Sequence, residues 1–224
     1  MTLIAEDLLL LLLDDEDGTL VQQSFVDQAL AGAVLAELAL EGHVVLGEPR
    51  GWGLKPHVLP AEGAVPDDEV LAQALVVVAE RPRDAGGLLR PLGKGLRRRL
   101  AERLVERGLL RREEDKVLGL FPRTTWPAVD SSHEADVRRD LAATLLDGVP
   151  PDARTAAIIG LLHAIGRSHK TVDRGGVPAH EVKKRAKAVA DGDLASEAVS
   201  AAVQAMYTAV FTATVIPAVV AGSS

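Results

Sequence analysis

The chain has 224 residues, a formal net charge of -7, 47% apolar and 25% charged side chains, and no cysteine. That is long enough for a sizeable globular core, and it rules out disulfides, thiolate metal sites and cysteine nucleophiles. Aromatics make up only 3%, so Leu, Val and Ala must build the core, which favours helix-on-helix packing.

Taken in chain order, LIAEDLLLLLLDDEDG (residues 3–18) predicts a helix ending in an acidic turn, with Gly18 suited to a positive φ. Leu8 to Leu13 is a run of leucines with acids on both sides. A signal peptide needs a basic leading segment, and the run is too short to span a bilayer. DDEDG lacks the spacing and the final Glu of an EF-hand, so it reads as a solvated turn. Residues 25–42 predict an apolar helix closed at Gly42, and residues 43–48 a short strand. Gly and Pro make 47–67 a loop, after which Asp67 or Asp68 caps a helix over 69–80. RPRDAGG (81–87) is a break before a basic helix expected from Leu92 to Arg107. A β-hairpin follows over 108–122, with its turn at Glu113, Glu114 and Asp115 and an apolar second strand. Further helices are expected over 132–146, from Asp152 through Leu162, over 180–190 and over 197–215. Residues 198–224 carry no charge. Their small side chains contribute little transfer energy, so they read as core and not as a membrane span. LAELALEGHVVL and LAERLVERGLLR echo one another as helix, glycine, apolar strand, a pattern that helix-capping grammar alone produces.

Charge is the most uneven property of the chain. Arg90 to Arg112 holds nine of the 25 Lys/Arg residues and two acids, leaving 16 basic and 30 acidic side chains elsewhere. On a helix, Leu96, Leu100 and Leu104 face a core, while Arg90, Lys94, Arg97 and Arg98 share a face of their own. Arg99, Arg103 and Arg107 form another. Charges this dense repel one another unless something anionic compensates, and the forked guanidinium suits phosphate oxygens. The ligand is then lipid or nucleic acid. A winged helix has the same helix–turn–hairpin order, yet acids in the hairpin repel a DNA backbone. Apolar Val117, Leu118, Leu120 and Phe121 suit lipid or a partner protein instead.

Catalytic and metal motifs give less. His163, His169 and His180 lack the spacing of a zinc site, and Ser131, Ser132 and His133 are only neighbours in sequence, not a triad. No P-loop, dinucleotide or GxSxG fingerprint is present. Trp52 and Trp126 lie in Pro-containing loops, suited to a membrane interface or to packing over a loop.

In order, LIAEDLLLLLLDDEDG, LAELALEGHVV, LRRRLAERLVERGLL and the following hairpin resemble the Golgi phosphoprotein 3 family over nearly the whole chain. The resemblance implies a mainly α fold: a single domain (1–224) in which a helical bundle is wrapped by further helices and carries a protruding apolar β-hairpin. It implies a phosphatidylinositol 4-phosphate-binding peripheral membrane protein, not an enzyme. The family's headgroup pocket uses a Trp, an Arg on the second helix and two basic residues three apart. Those positions correspond here to Gln22, Ala31, Lys94 and Arg97. Two of the four are kept, so an anionic surface is implied more firmly than that one lipid. Val117 to Phe121 occupies the membrane-inserting strand, with Gly119 as a departure. The long basic N-terminal tail of the eukaryotic members has no counterpart, which points to a prokaryotic member outside Golgi trafficking.

The combined expectation is a cytoplasmic, peripherally membrane-associated protein without cofactor or metal. Lys94, Arg97, Arg90 and Arg98 hold an anionic headgroup, phosphatidylinositol 4-phosphate or a related one. Val117, Leu118, Leu120 and Phe121 insert. A protein partner or second copy through the hairpin is compatible with this; nucleic acid is not expected. The alternatives are a winged-helix-like nucleic-acid binder using the same arginines and a cytosolic helical adaptor.

Overall fold

The computed structural model describes residues 2–14, 18–19, 23–48, 55–117 and 121–192. In chain order these form α1 (Ile4–Leu12), α2 (Gln23–Leu40), β1 (Val44–Leu46), β2 (His57–Pro60), α3 (Glu69–Ala79), β3 (Arg83–Asp84) and α4 (Ala85–Gly93). They continue with α5 (Leu96–Glu106), β4 (Glu113–Val117), β5 (Phe121–Thr125), α6 (Ser132–Leu145), α7 (Ala153–Ala164) and α8 (Ala179–Ala190). The architecture is mainly α, with two small antiparallel sheets. The helix expected over 197–215, the uncharged stretch 198–224 and Trp52 lie outside the described residues.

The leucine run explains the centre of the molecule. A helix that is apolar on every side must be enclosed on every side. Every residue of α1 is buried, and the helix touches α2, α5, α6 and α7. Around it, α2 supplies Leu30, Val34, Leu35 and Leu38, and α7 is buried from Ala156 to Leu162. Each leucine so enclosed contributes about 1.5–3 kcal/mol. Leu96, Leu100 and Leu104 of α5 face this core as expected.

Most start and stop signals were legible in sequence, but Asp84 was read only as part of a break. Asp68, Asp84 and Asp152 cap α3, α4 and α7, accepting from the N–H groups of Val70, Gly87 and Thr155 at 2.8, 2.8 and 2.7 Å. The echo between α2 and α5 is a shared stop. Gly42 and Gly108 have φ of 74° and 75°, and the following N–H groups reach back to Leu38 and Leu104 at 2.8 and 3.0 Å.

Three expectations need correction. The loop over 47–67 contains β2, which pairs with β1 on one side and with β3, inside the expected break at 81–87, on the other. Both strands are too short to show a period. The basic helix is two helices: α4 ends at Gly93, and α5 starts after Gly95, whose φ of 71° only glycine adopts readily. Close packing accompanies the break, since a Cβ on Gly93 would lie 2.9 Å from the Asp27 carbonyl oxygen. In the hairpin, Glu113, Glu114 and Asp115 are not the turn. They pair in register with Thr125, Thr124 and Arg123, and the ladder runs on to Val117 opposite Phe121. The β-prone Thr, Val and Phe residues carry the pairing past the acids. Leu118 and Leu120 lie outside the described residues. The hairpin makes its main contacts within itself.

Candidate anion-binding site

Breaking the basic segment at Gly95 turns its two halves to different tasks. The first half borders an open depression of about 850 Å³ lined by Asp27, Gln28, Arg81, Arg83, Arg90 and Lys94. Arg90 lies in the last turn of α4 and Lys94 caps its C-terminus; both are exposed. Arg81, also exposed, comes from the segment between α3 and β3. No ion pair joins Arg81, Arg90 or Lys94 to a carboxylate among the described residues. Arg83 is held by the Val77 carbonyl and Glu80 at 3.1 and 3.2 Å. The backbone is close at hand, because Gly87 and Gly93 also line the depression.

Arg97 is less available than expected. It donates through Nε and Nη2 to both oxygens of Asp27, each at 3.0 Å, the fork-to-fork geometry of a strong pair. Arg98 is directed elsewhere: its side chain is 80% exposed and meets Glu102 at 3.5 Å within α5. The expected common face of Arg90, Lys94, Arg97 and Arg98 therefore does not form. The structure brings Arg90 and Lys94 together, keeps Arg97 beside them through Asp27, and leaves Arg98 on the rim of α5.

The second half neutralises a buried acidic end of α1. Arg103 donates to Glu6 at 3.0 Å and to both oxygens of Asp68 at 2.9 and 2.6 Å, and Arg107 reaches Glu6 at 3.2 Å. Burial works against the Asp68 charge, but the Arg103 guanidinium and the Val70 and Leu71 N–H groups outweigh it and hold the carboxyl below its usual range. In turn Asp68, with Glu6, holds the Arg103 guanidinium above its usual value despite burial. On the other side of α1, Arg154 donates to Asp7 through Nε and Nη2 at 3.1 and 2.7 Å and to Glu37 at 3.0 Å. His133 meets Asp7 at 2.7 Å. Since Arg154 gives Asp7 two bonds and Glu37 one, burial dominates at Glu37. It pushes that carboxyl up from 4.5 to about 7, against the opposing pull of Arg154 and the Ile4 N–H. The acids read as flanks of the leucine run are thus internal counter-ions.

Ala31, expected from the resemblance to stand where the family's pocket has an arginine, is fully buried. Gln22 lies outside the described residues. Asp27 and Gln28, a turn earlier on α2, line the depression instead, and sequence reasoning missed them along with Arg81 and Arg83. The signal for the two arginines was the basic tripeptide RPR inside a segment read only as a break. Trp126 is packed, 9% exposed, and its backbone N–H donates to the Gly18 carbonyl at 3.1 Å. Gly18 must be glycine, since a Cβ there would lie 2.3 Å from the Trp126 carbonyl carbon. At the hairpin end, Val117 and Phe121 form the last backbone pair. Among the described residues no group of three His, Asp or Glu side chains is arranged to hold a metal, and no helix is long and apolar enough to cross a membrane. In comparison with known families, the model for Golgi phosphoprotein 3 (GPP34) matches residues 4–206.

Proposed function

The chain belongs to the Golgi phosphoprotein 3 (GPP34) family, and on that basis we propose that it is a peripheral membrane protein that binds an anionic phospholipid headgroup in the depression beside α4. One observation carries the reading: three exposed cations without counter-ions among the described residues, Arg81, Arg90 and Lys94, line one cavity in a chain of net charge -7. Unpaired guanidinium and ammonium groups at a concave surface attract phosphate oxygens, and the surplus of acid elsewhere turns this face toward an anionic bilayer. Arg97 contributes once a ligand competes with Asp27 for its fork. Arg98 adds only to the long-range field. Phosphatidylinositol 4-phosphate or a related headgroup fits the charge.

The hairpin supplies the second contact. Val117 ends β4 and Phe121 opens β5, and shallow insertion of Val117, Leu118, Leu120 and Phe121 adds apolar burial to the charge attraction. A single headgroup site gives weak attachment, so a protein partner or a second copy through the hairpin strengthens it. The role is binding, not catalysis, at the cytoplasmic face of a membrane. Nucleic acid fits less well, because Arg103 and Arg107 are engaged by Glu6 and Asp68.

Vesicle co-sedimentation tests this, comparing neutral vesicles, generic anionic vesicles and vesicles holding phosphatidylinositol 4-phosphate. Wild type is expected to pellet with anionic vesicles, and Arg90→Glu/Lys94→Glu to remain in solution. Selective pelleting with the phosphoinositide identifies the headgroup; equal pelleting with any anionic lipid reduces the site to a charged patch. No pelleting with any vesicle overturns the reading.

A further inference from the structure

We propose that the turn between α7 and α8 is a second anion site, taking a phosphate-type oxyanion on Arg167, Ser168 and His169 separately from the depression beside α4. Among the described residues four buried side-chain polar atoms have no hydrogen-bond partner. Three of them, Arg167 Nε, Ser168 Oγ and His169 Nδ1, are consecutive in the chain. Buried polar atoms almost always find a partner, so three in a row mark a place where something else completes the bonding. All three can donate: Arg167 through Nε–H, Ser168 through its hydroxyl, and His169 in the tautomer with its proton on Nδ1. Ser168 is 1% exposed, so bulk solvent does not satisfy its hydroxyl. An oxyanion is an acceptor for each of these donors.

The charge around the turn has the matching sign. Arg167, Lys170, Arg174 and Lys183 all act on the His169 ring, and with burial they hold its protonation below the usual range. None of the four forms an ion pair with a described carboxylate. Burial lowers the Arg167 guanidinium as well, with no acid to offset it. A desolvated cation without a counter-ion is costly, and in a chain with this excess of acid a carboxylate neighbour was available to evolution. An arriving anion removes that cost.

The turn is also fixed in place. Gly166 has a φ of 69°, the Arg167 N–H reaches back to Leu162 at 2.7 Å, and the Lys170 N–H and Thr171 hydroxyl both bond the Arg167 carbonyl, at 2.8 and 3.1 Å. From α6, Arg138 donates to the Thr171 carbonyl at 2.6 Å. The backbone is thus tied to α7 and α6. The Arg167 and His169 side chains are both partly exposed, so the turn meets solvent on their side.

The test uses the full chain carrying Arg90→Glu/Lys94→Glu, so that no signal comes from the first depression. The imidazole nitrogen resonances of His169 are followed by NMR, assigned with His169→Gln. The two probes are inorganic phosphate and phosphatidylcholine vesicles containing phosphatidic acid. Saturable movement with millimolar inorganic phosphate, at least about tenfold weaker in Lys183→Glu/Arg174→Glu, supports the site with a soluble ligand. The same behaviour with the vesicles alone supports it with a lipid headgroup. No saturable movement with either probe, or equal movement in the variant, overturns it and leaves the three atoms to ordered water. Lys183 and Arg174 are exposed, so their reversal leaves the fold intact; Ser168→Ala, folded as judged by its backbone spectrum, must weaken phosphate binding as well.

Discussion

Lys94 and Arg103 belong to one basic stretch, yet they resolve opposite electrostatic problems. Arg103 and Arg107 exist to neutralise Glu6, a carboxylate with no solvent exposure at the start of the central helix. Arg90 and Lys94 have no acid to neutralise among the described residues. Clustered positive charge therefore says little by itself about ligands; what matters is which cations the fold has already matched. Where burial is complete, removing one partner strands a charge. Where cations face water, removing them costs the fold almost nothing and costs the ligand a great deal.

The contrast breaks most visibly at Arg154. Arg154→Ala leaves Asp7 and Glu37 buried without their cation, and urea denaturation should show a loss of about 3–5 kcal/mol. A loss near zero would mean that the two carboxyls simply take up protons.

Glu37 gives the next largest effect. Its folded value of about 7 lies above its ordinary 4.5, so the folded chain holds a proton that the unfolded chain releases. Stability therefore falls as pH rises from about 4.5 to about 7, by roughly 3 kcal/mol from this group alone. Glu37→Gln should flatten that part of the pH–stability curve and be the more stable form at pH 8. A variant whose curve keeps the wild-type slope would remove Glu37 as its source.

On the other side of the comparison, Arg90→Glu/Lys94→Glu should leave the denaturation midpoint within the equivalent of about 0.5 kcal/mol. Affinity for anionic vesicles should drop at least about tenfold, at roughly 1 kcal/mol per basic residue near the surface. Matching losses in both assays would make these residues structural. Smallest is Arg98→Ala, whose partner Glu102 lies on the same exposed face. A few tenths of a kcal/mol is expected, with vesicle binding reduced less than by Lys94→Ala.

Legibility followed distance along the chain. The caps at Asp68 and Asp152, the stops at Gly42 and Gly108 and the buried leucine stripe of α5 are local grammar, and each was readable within a few residues. The roles of Glu6 and Asp7 were not. Their partners Arg103 and Arg154 are 97 and 147 residues away, and in sequence these acids look like the polar flanks of an apolar run. β2 and β3 were hidden for a related reason, because strands of four and two residues exist only through the partner they pair with. In the candidate site, Arg90 and Lys94 were readable from charge density. The elbow at Gly95 was not, nor was the use of Asp27 to hold Arg97, since both depend on how closely α2 packs against α4. The family resemblance supplied the architecture that local signals left open.

The enclosure of α1 has a consequence for how the protein is made. α1 precedes in the chain every helix that encloses it, and the last of those neighbours to be made is α7. At ribosomal speeds the interval between Asp7 and Arg154 is on the order of ten seconds. Over that interval the run of six leucines lacks its complete enclosure, and Asp7 lacks the guanidinium that bonds it twice. This topology makes closure of the core wait for the arrival of Arg154.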